Sequence, residues 1–131
     1  MRVKIELISK YSITQVSKNV NATEIRCFCD LPDCYVTMYS PDLLNKFEIL
    51  RRECGDKPII ITSAYRCQEH NRMQSGRKKS KHKIALALDL VPPTGMNIME
   101  FSRYCWKLFD YVKIYRDGNF CHAHINPWSE K

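Results

Sequence analysis

A chain of 131 residues has the size of one ordinary domain and can bury a hydrophobic core without help from disulfides. Apolar residues at 44%, charged residues at 27%, and only 4 Gly and 6 Pro exclude a disordered or fibrous protein. The net charge of +7 favours anionic partners such as nucleic acid, acidic wall polymers or a substrate carboxylate. Arg77, Lys78, Lys79, Lys81 and Lys83 concentrate part of it, and composition alone favours reading them as a solvated basic loop.

Lys4, Glu6, Ser9 and Lys10 interrupt any apolar run of signal-peptide length near the start, and no 18-residue apolar run exists. The expectation is a protein made in the cytoplasm with no membrane span. Seven cysteines cannot all pair within one chain, so at least one thiol is free.

In chain order, Val3 to Ile8 alternates loosely as an edge strand, and Ser17 to Thr23 reads as a polar turn. Cys27, Cys29 and Cys34 follow in the spacing C-x-C-x4-C. A zinc ribbon needs two paired knuckles, and a partner pair is not obvious; the alternatives are a second metal or a loop of small buried thiols. Ser40 as N-cap, Pro41 at the first helical position and Gly55 past the end frame a helix whose Leu43, Leu44, Phe47 and Leu50 face the core. Pro58 to Thr62 reads as a buried strand, Gln68 to Gln74 as a brief helix, and Ser75 to Lys83 as a basic loop.

Ile84 to Val91 is a second buried strand. Asn97 with Glu100 resembles a capping box before a helix carrying Ile98, Phe101, Cys105, Leu108 and Phe109. Tyr111 to Tyr115 and Phe120 to Ile125 flank Asp117 and Gly118, a hairpin signal. With no repeat and no linker, the expected fold is a single α+β domain spanning 1–131, with a small, mainly antiparallel sheet and two main helices.

His122 and His124 are two apart on a strand and therefore share a face. Asp89 lies in the apolar run IALALDLV, where a carboxylate is costly unless paired or bound to metal. His82 precedes it by seven residues; a straight strand would separate the two by roughly 23 Å on opposite faces, so the chain must turn between them. Two His and one Asp match a catalytic zinc with one open position. Surface histidines beside a salt-bridged aspartate fit the same spacing.

The stretch PIIITSAYRCQEHNRMQSGRKKSKHKIALALDLVPP resembles the signature of zinc D-alanyl-D-alanine carboxypeptidases and related phage endolysin peptidases, through Ser63, Tyr65, Arg66, Asn71, Ser80, His82, Ala87 and Asp89. Downstream, FCHAHIN resembles the strand that carries the third ligand, in a His-x-His form shared with the hedgehog signalling domain of the same superfamily. The resemblance covers roughly residues 25 to 127. It implies zinc held by His82, Asp89 and His124, with Arg66 facing the substrate carbonyl or carboxylate and His122 beside the zinc water.

Ala64 and Ala85 replace glycines of the family pattern, at a cost of about 1 kcal/mol each if positive φ is required. Cys121 occupies the position where many members carry a Glu or Asp base, leaving Asp117, His122 and Glu130 as candidates. The resemblance thus implies a zinc peptidase acting on peptidoglycan peptide, and the chain is expected to be a monomer. A catalytically silent zinc domain is the rival, and a nucleic-acid binder built on CFCDLPDC and RKKSKHK ranks last because it leaves Asp89 and the paired histidines unexplained.

Overall fold

The computed structural model describes residues 2–74 and 80–128. Its elements run β1 (Glu6–Ser9), β2 (Gln15–Ser17), β3 (Val20–Asn21), α1 (Ala22–Ile25), β4 (Val36–Tyr39), α2 (Pro41–Glu53), β5 (Ile60–Ser63), α3 (Gln68–Met73), a 3-10 turn (Lys81–Ile84), β6 (Ala87–Val91), α4 (Ile98–Leu108), β7 (Tyr111–Tyr115) and β8 (Phe120–His124). A four-stranded sheet in the order β5-β6-β8-β7 is antiparallel throughout, and the small pairs β1-β4 and β2-β3 are antiparallel too. This is the expected α+β architecture. The basic residues Arg77, Lys78 and Lys79 and the candidate base Glu130 lie outside the described residues.

The two main helices form where their caps stand in the sequence. Ser40 accepts the Leu43 N–H and Asn97 accepts the Glu100 N–H, each satisfying a donor that a helix start leaves without a partner. Gly55, at φ 91°, turns the chain out of α2 at low steric cost. Leu43, Leu44, Phe47 and Leu50 from α2 and Phe101 and Cys105 from α4 pack with Leu88, Leu90, Cys121 and Ala123 from the sheet into one core. Burying each large side chain of this kind stabilises the fold by roughly 1.5–3 kcal/mol before entropy is counted.

Four expectations need correction. Pro58 to Thr62 is not a buried strand: among the described residues β5 pairs only with β6, and as an edge strand it leaves Ile60 60% exposed while Ile61 is buried. Residues 17–23 are not a mere turn, since β3 and α1 lie there and α2 holds them in place. The buried Glu48 carboxylate accepts from the Ser17 hydroxyl at 2.5 Å and from the Asn19 N–H and side-chain amide at 2.7 Å each. The strand expected from Ile84 begins only at Ala87, because a 3-10 turn and a left-handed Ala85 come first. The first strand starts at Glu6 rather than Val3, set by its pairing with β4.

The β7-β8 hairpin forms as expected, closed by an Asn119 N–H to Arg116 carbonyl bond of 3.2 Å. Asn119, not Gly118, takes the positive φ, at 51°, a conformation that Asn tolerates better than most residues.

Candidate metal centre

Antiparallel pairing of β6 with β8 sets Asp89 opposite His122 and Ala87 opposite His124. Alternation then turns Leu88, Leu90, Cys121 and Ala123 into the core, and Asp89, His122 and His124 to the other face. His82 reaches that face from the 3-10 turn. Ser80 caps the turn by accepting the His82 N–H, and Ala85 at φ 62° reverses the chain, supplying the bend that the spacing of His82 and Asp89 demanded. Ala64 has no positive φ, so only one of the two glycine replacements carries a backbone cost.

Asp89 is the hub. Its Oδ1 lies 3.1 Å from His82 Nε2 and 3.2 Å from His122 Nδ1, and its Oδ2 lies 3.3 Å from Arg66 Nη2. Burial alone would raise the Asp89 carboxyl, but the contacts to His122 and His82 hold it well below the usual carboxylate range. Arg66 is fixed in plane by two further bonds, from Nε to Ser63 Oγ and from Nη1 to Asn71 Oδ1. The motif residues Ser63, Arg66, Asn71, Ser80, His82 and Asp89 therefore form one connected network.

The donor atoms of His82, Asp89 and His122 all lie within 4.8 Å of one another. His124 joins through His122, with Nδ1 2.8 Å from His122 Nε2. Burial first, then the neighbouring His122 and Lys81 side chains, holds His124 down at about 4, so its ring is neutral near pH 7. A neutral imidazole is the form that ligates metal.

Whether this set suits a cation can be judged from His82. Its Nδ1 lies 2.6 Å from the Ala64 carbonyl, which only accepts, so Nδ1 carries the proton. The Nε2 lone pair then faces a carboxylate oxygen, a repulsive contact unless a proton or a metal cation lies between them. A carbonyl holding the far nitrogen of a buried His is also how metal-ligating histidines are usually oriented. The residues fit a metal ion.

Several neighbours escaped the sequence reading. Tyr111 stacks on His124 with ring centroids 4.9 Å apart, and Trp106 meets Tyr111 edge-on at 6.0 Å. Asp110 donates its N–H to the His124 carbonyl, and its carboxylate accepts the Asn126 N–H. Counting back from the hairpin places Tyr111 opposite His124, so this signal was available. Among the remaining base candidates, Asp117 sits in the exposed hairpin turn. Cys121 is fully buried on the core face of β8, against Cys105.

Residues 9–124 match the model of the Peptidase M15 family. The chain belongs to that family, which makes it a metallopeptidase by class. No curated protein and no solved structure matches it at a significant level. No helix among the described residues is long and apolar enough to cross a membrane.

Proposed function

We propose that the chain is a zinc peptidase that hydrolyses peptide bonds of bacterial peptidoglycan, with His82, Asp89 and His124 as ligands and Arg66 and His122 as catalytic residues. The observation that carries the reading is the buried Asp89 carboxylate set against His82 Nε2, His122 Nδ1 and Arg66 Nη2. Zinc, when bound, supplies a Lewis acid for the scissile carbonyl and lowers the pKa of water toward about 7. Ser63 and Asn71 hold the Arg66 guanidinium rigid, so its charge is already placed for an oxyanion that develops during hydrolysis. His122, on the more open side of the cluster, exchanges a proton with the attacking water and the leaving amine. A net charge of +7 suits a substrate rich in carboxylates.

Wild-type protein should hold zinc at this site and cleave defined wall peptides. His124→Ala should lose that zinc, whereas His122→Ala should keep it and lose most turnover. The 3.2 Å contact between His122 and Asp89 favours a second ligand set in which His122 replaces His124. Loss of zinc in His122→Ala together with retention in His124→Ala would establish that set instead. A catalytically silent zinc domain is the other reading, favoured by the turning of Cys121 into the core, which leaves no carboxylate at the usual base position. A fully loaded site with no turnover on any wall peptide would select it.

A further inference from the structure

Cys27, Cys29 and Cys34 do have a partner, and it comes from the far side of the Arg66 turn. Cys67, the N-cap of α3, brings a fourth sulfur, and all four Sγ atoms lie within 4.8 Å of one another. A tetrahedral zinc with arms of about 2.3 Å needs sulfurs about 3.8 Å apart. Cys29 Sγ and Cys67 Sγ are 3.8 Å apart, far beyond a disulfide bond, and all seven cysteines are free. Cys27, Cys29 and Cys34 are at most 7% exposed, and Leu31 and Tyr65 pack over them.

Proximity alone would also suit a nest of neutral thiols. The donors aimed at the sulfurs argue otherwise. The Cys67 N–H points at Cys27 Sγ at 3.4 Å and the His70 N–H at Cys67 Sγ at 3.4 Å; His70 Nδ1 also lies 3.0 Å from Cys27 Sγ, a contact in which either atom can donate. Lys10, only 4% exposed, directs its ammonium to the Cys29 carbonyl at 2.7 Å and to Cys29 Sγ at 3.5 Å. Among the described residues no carboxylate pairs with this buried ammonium, so its counter-charge has to come from the sulfurs. Four thiolates around one divalent ion carry a net charge of −2, which a buried lysine and inward-pointing N–H groups partly offset.

We propose that Cys27, Cys29, Cys34 and Cys67 bind a second zinc ion in a closed, structural site. No ligand position is left for water, so this ion takes no part in hydrolysis. It ties the 27–34 loop to residue 67, directly after Arg66, and so braces the turn that serves the other cluster.

The test uses the full chain, purified reduced, with zinc and then cobalt(II) as probes. Wild type should bind two zinc ions, and its cobalt form should show intense thiolate-to-metal charge-transfer absorption. Asp89→Asn should lose one ion and keep that absorption, so failure of the peptidase site cannot be mistaken for failure of this one. Cys29→Ser and Cys34→Ser should lose the absorption. Because the wild-type spectrum needs no variant, misfolding of the cysteine variants does not blunt the test. Wild-type protein that takes up cobalt without thiolate absorption, or whose four cysteines are found in disulfides, would overturn the proposal.

Discussion

The two donor clusters are built from opposite materials in opposite settings. One uses four sulfurs, three of them deeply buried, on a loop and a helix cap. The other uses imidazole nitrogens and a carboxylate on a 3-10 turn and two paired strands, with His122 and His124 only part-buried. A closed sulfur set suits an ion that holds structure, whereas mixed nitrogen and oxygen donors with an open side suit one that meets substrate. What joins them is the turn 64–67. Its Ala64 carbonyl orients His82 and its Arg66 pairs with Asp89, while Tyr65 packs on the cysteines and Cys67 completes them.

The sharpest way to separate the clusters is to remove the hub of one. Asp89→Ala should abolish detectable turnover and lower the zinc content of the purified protein by one ion, leaving the thiolate spectrum of the cobalt form unchanged. Simultaneous loss of both metals would show that the clusters are not independent. Arg66→Lys keeps the charge but not the planar fork that Ser63 and Asn71 hold, so kcat should fall by about 10²-fold with metal content intact. Near-normal kcat in that variant would remove Arg66 from the chemistry.

Bracing is tested from the other side. Cys67→Ala should destabilise the fold by more than the roughly 3 kcal/mol that bounds ordinary substitutions, read by denaturant unfolding. It should also lower kcat about 10-fold or more through misplacement of Arg66, although Cys67 belongs to the other cluster. A stable variant with normal kcat would break the link between the clusters. The smallest effect belongs to the backbone. Ala85→Gly should stabilise the protein by about 1 kcal/mol by relieving the left-handed alanine, and Ala64→Gly should give no such gain. Equal thermal shifts in the two variants would count against that assignment.

Much of this was legible from residue order. Ser40, Pro41 and Asn97 announced the two main helices because caps are local chemistry. His82, Asp89 and the His122 and His124 pair stood out because a carboxylate in an apolar strand and two histidines on one face both demand a partner. The fourth cysteine was not legible: Cys67 is distant in sequence from Cys34, has no neighbouring cysteine, and approaches only through tertiary folding. Lys10 was hidden for the same reason. Strand β4 was missed because four residues after a cysteine loop show no clear alternation, and its pairing with β1 alone defines it. The exposure of β5 depends on which strands flank it, which sequence periodicity does not report.

The pairing of Asp89 with His122 and of Ala87 with His124 also bears on how the chain finds its native state. Strands β6 and β8 are adjacent in the sheet but separated in sequence by α4 and β7, so their pairing closes a long loop. A slip by one residue that turned β6 over would drive the Asp89 carboxylate into the apolar core and at the same time pull Leu88 and Leu90 out of it. The metal ion proposed for this site, which would bind only when Asp89 and the β8 imidazoles share a face, would add its binding energy to the correct register and to no other. The proposed ligand set would thereby act as a proofreader of strand pairing, favouring the aligned sheet over its shifted competitors before any substrate arrives.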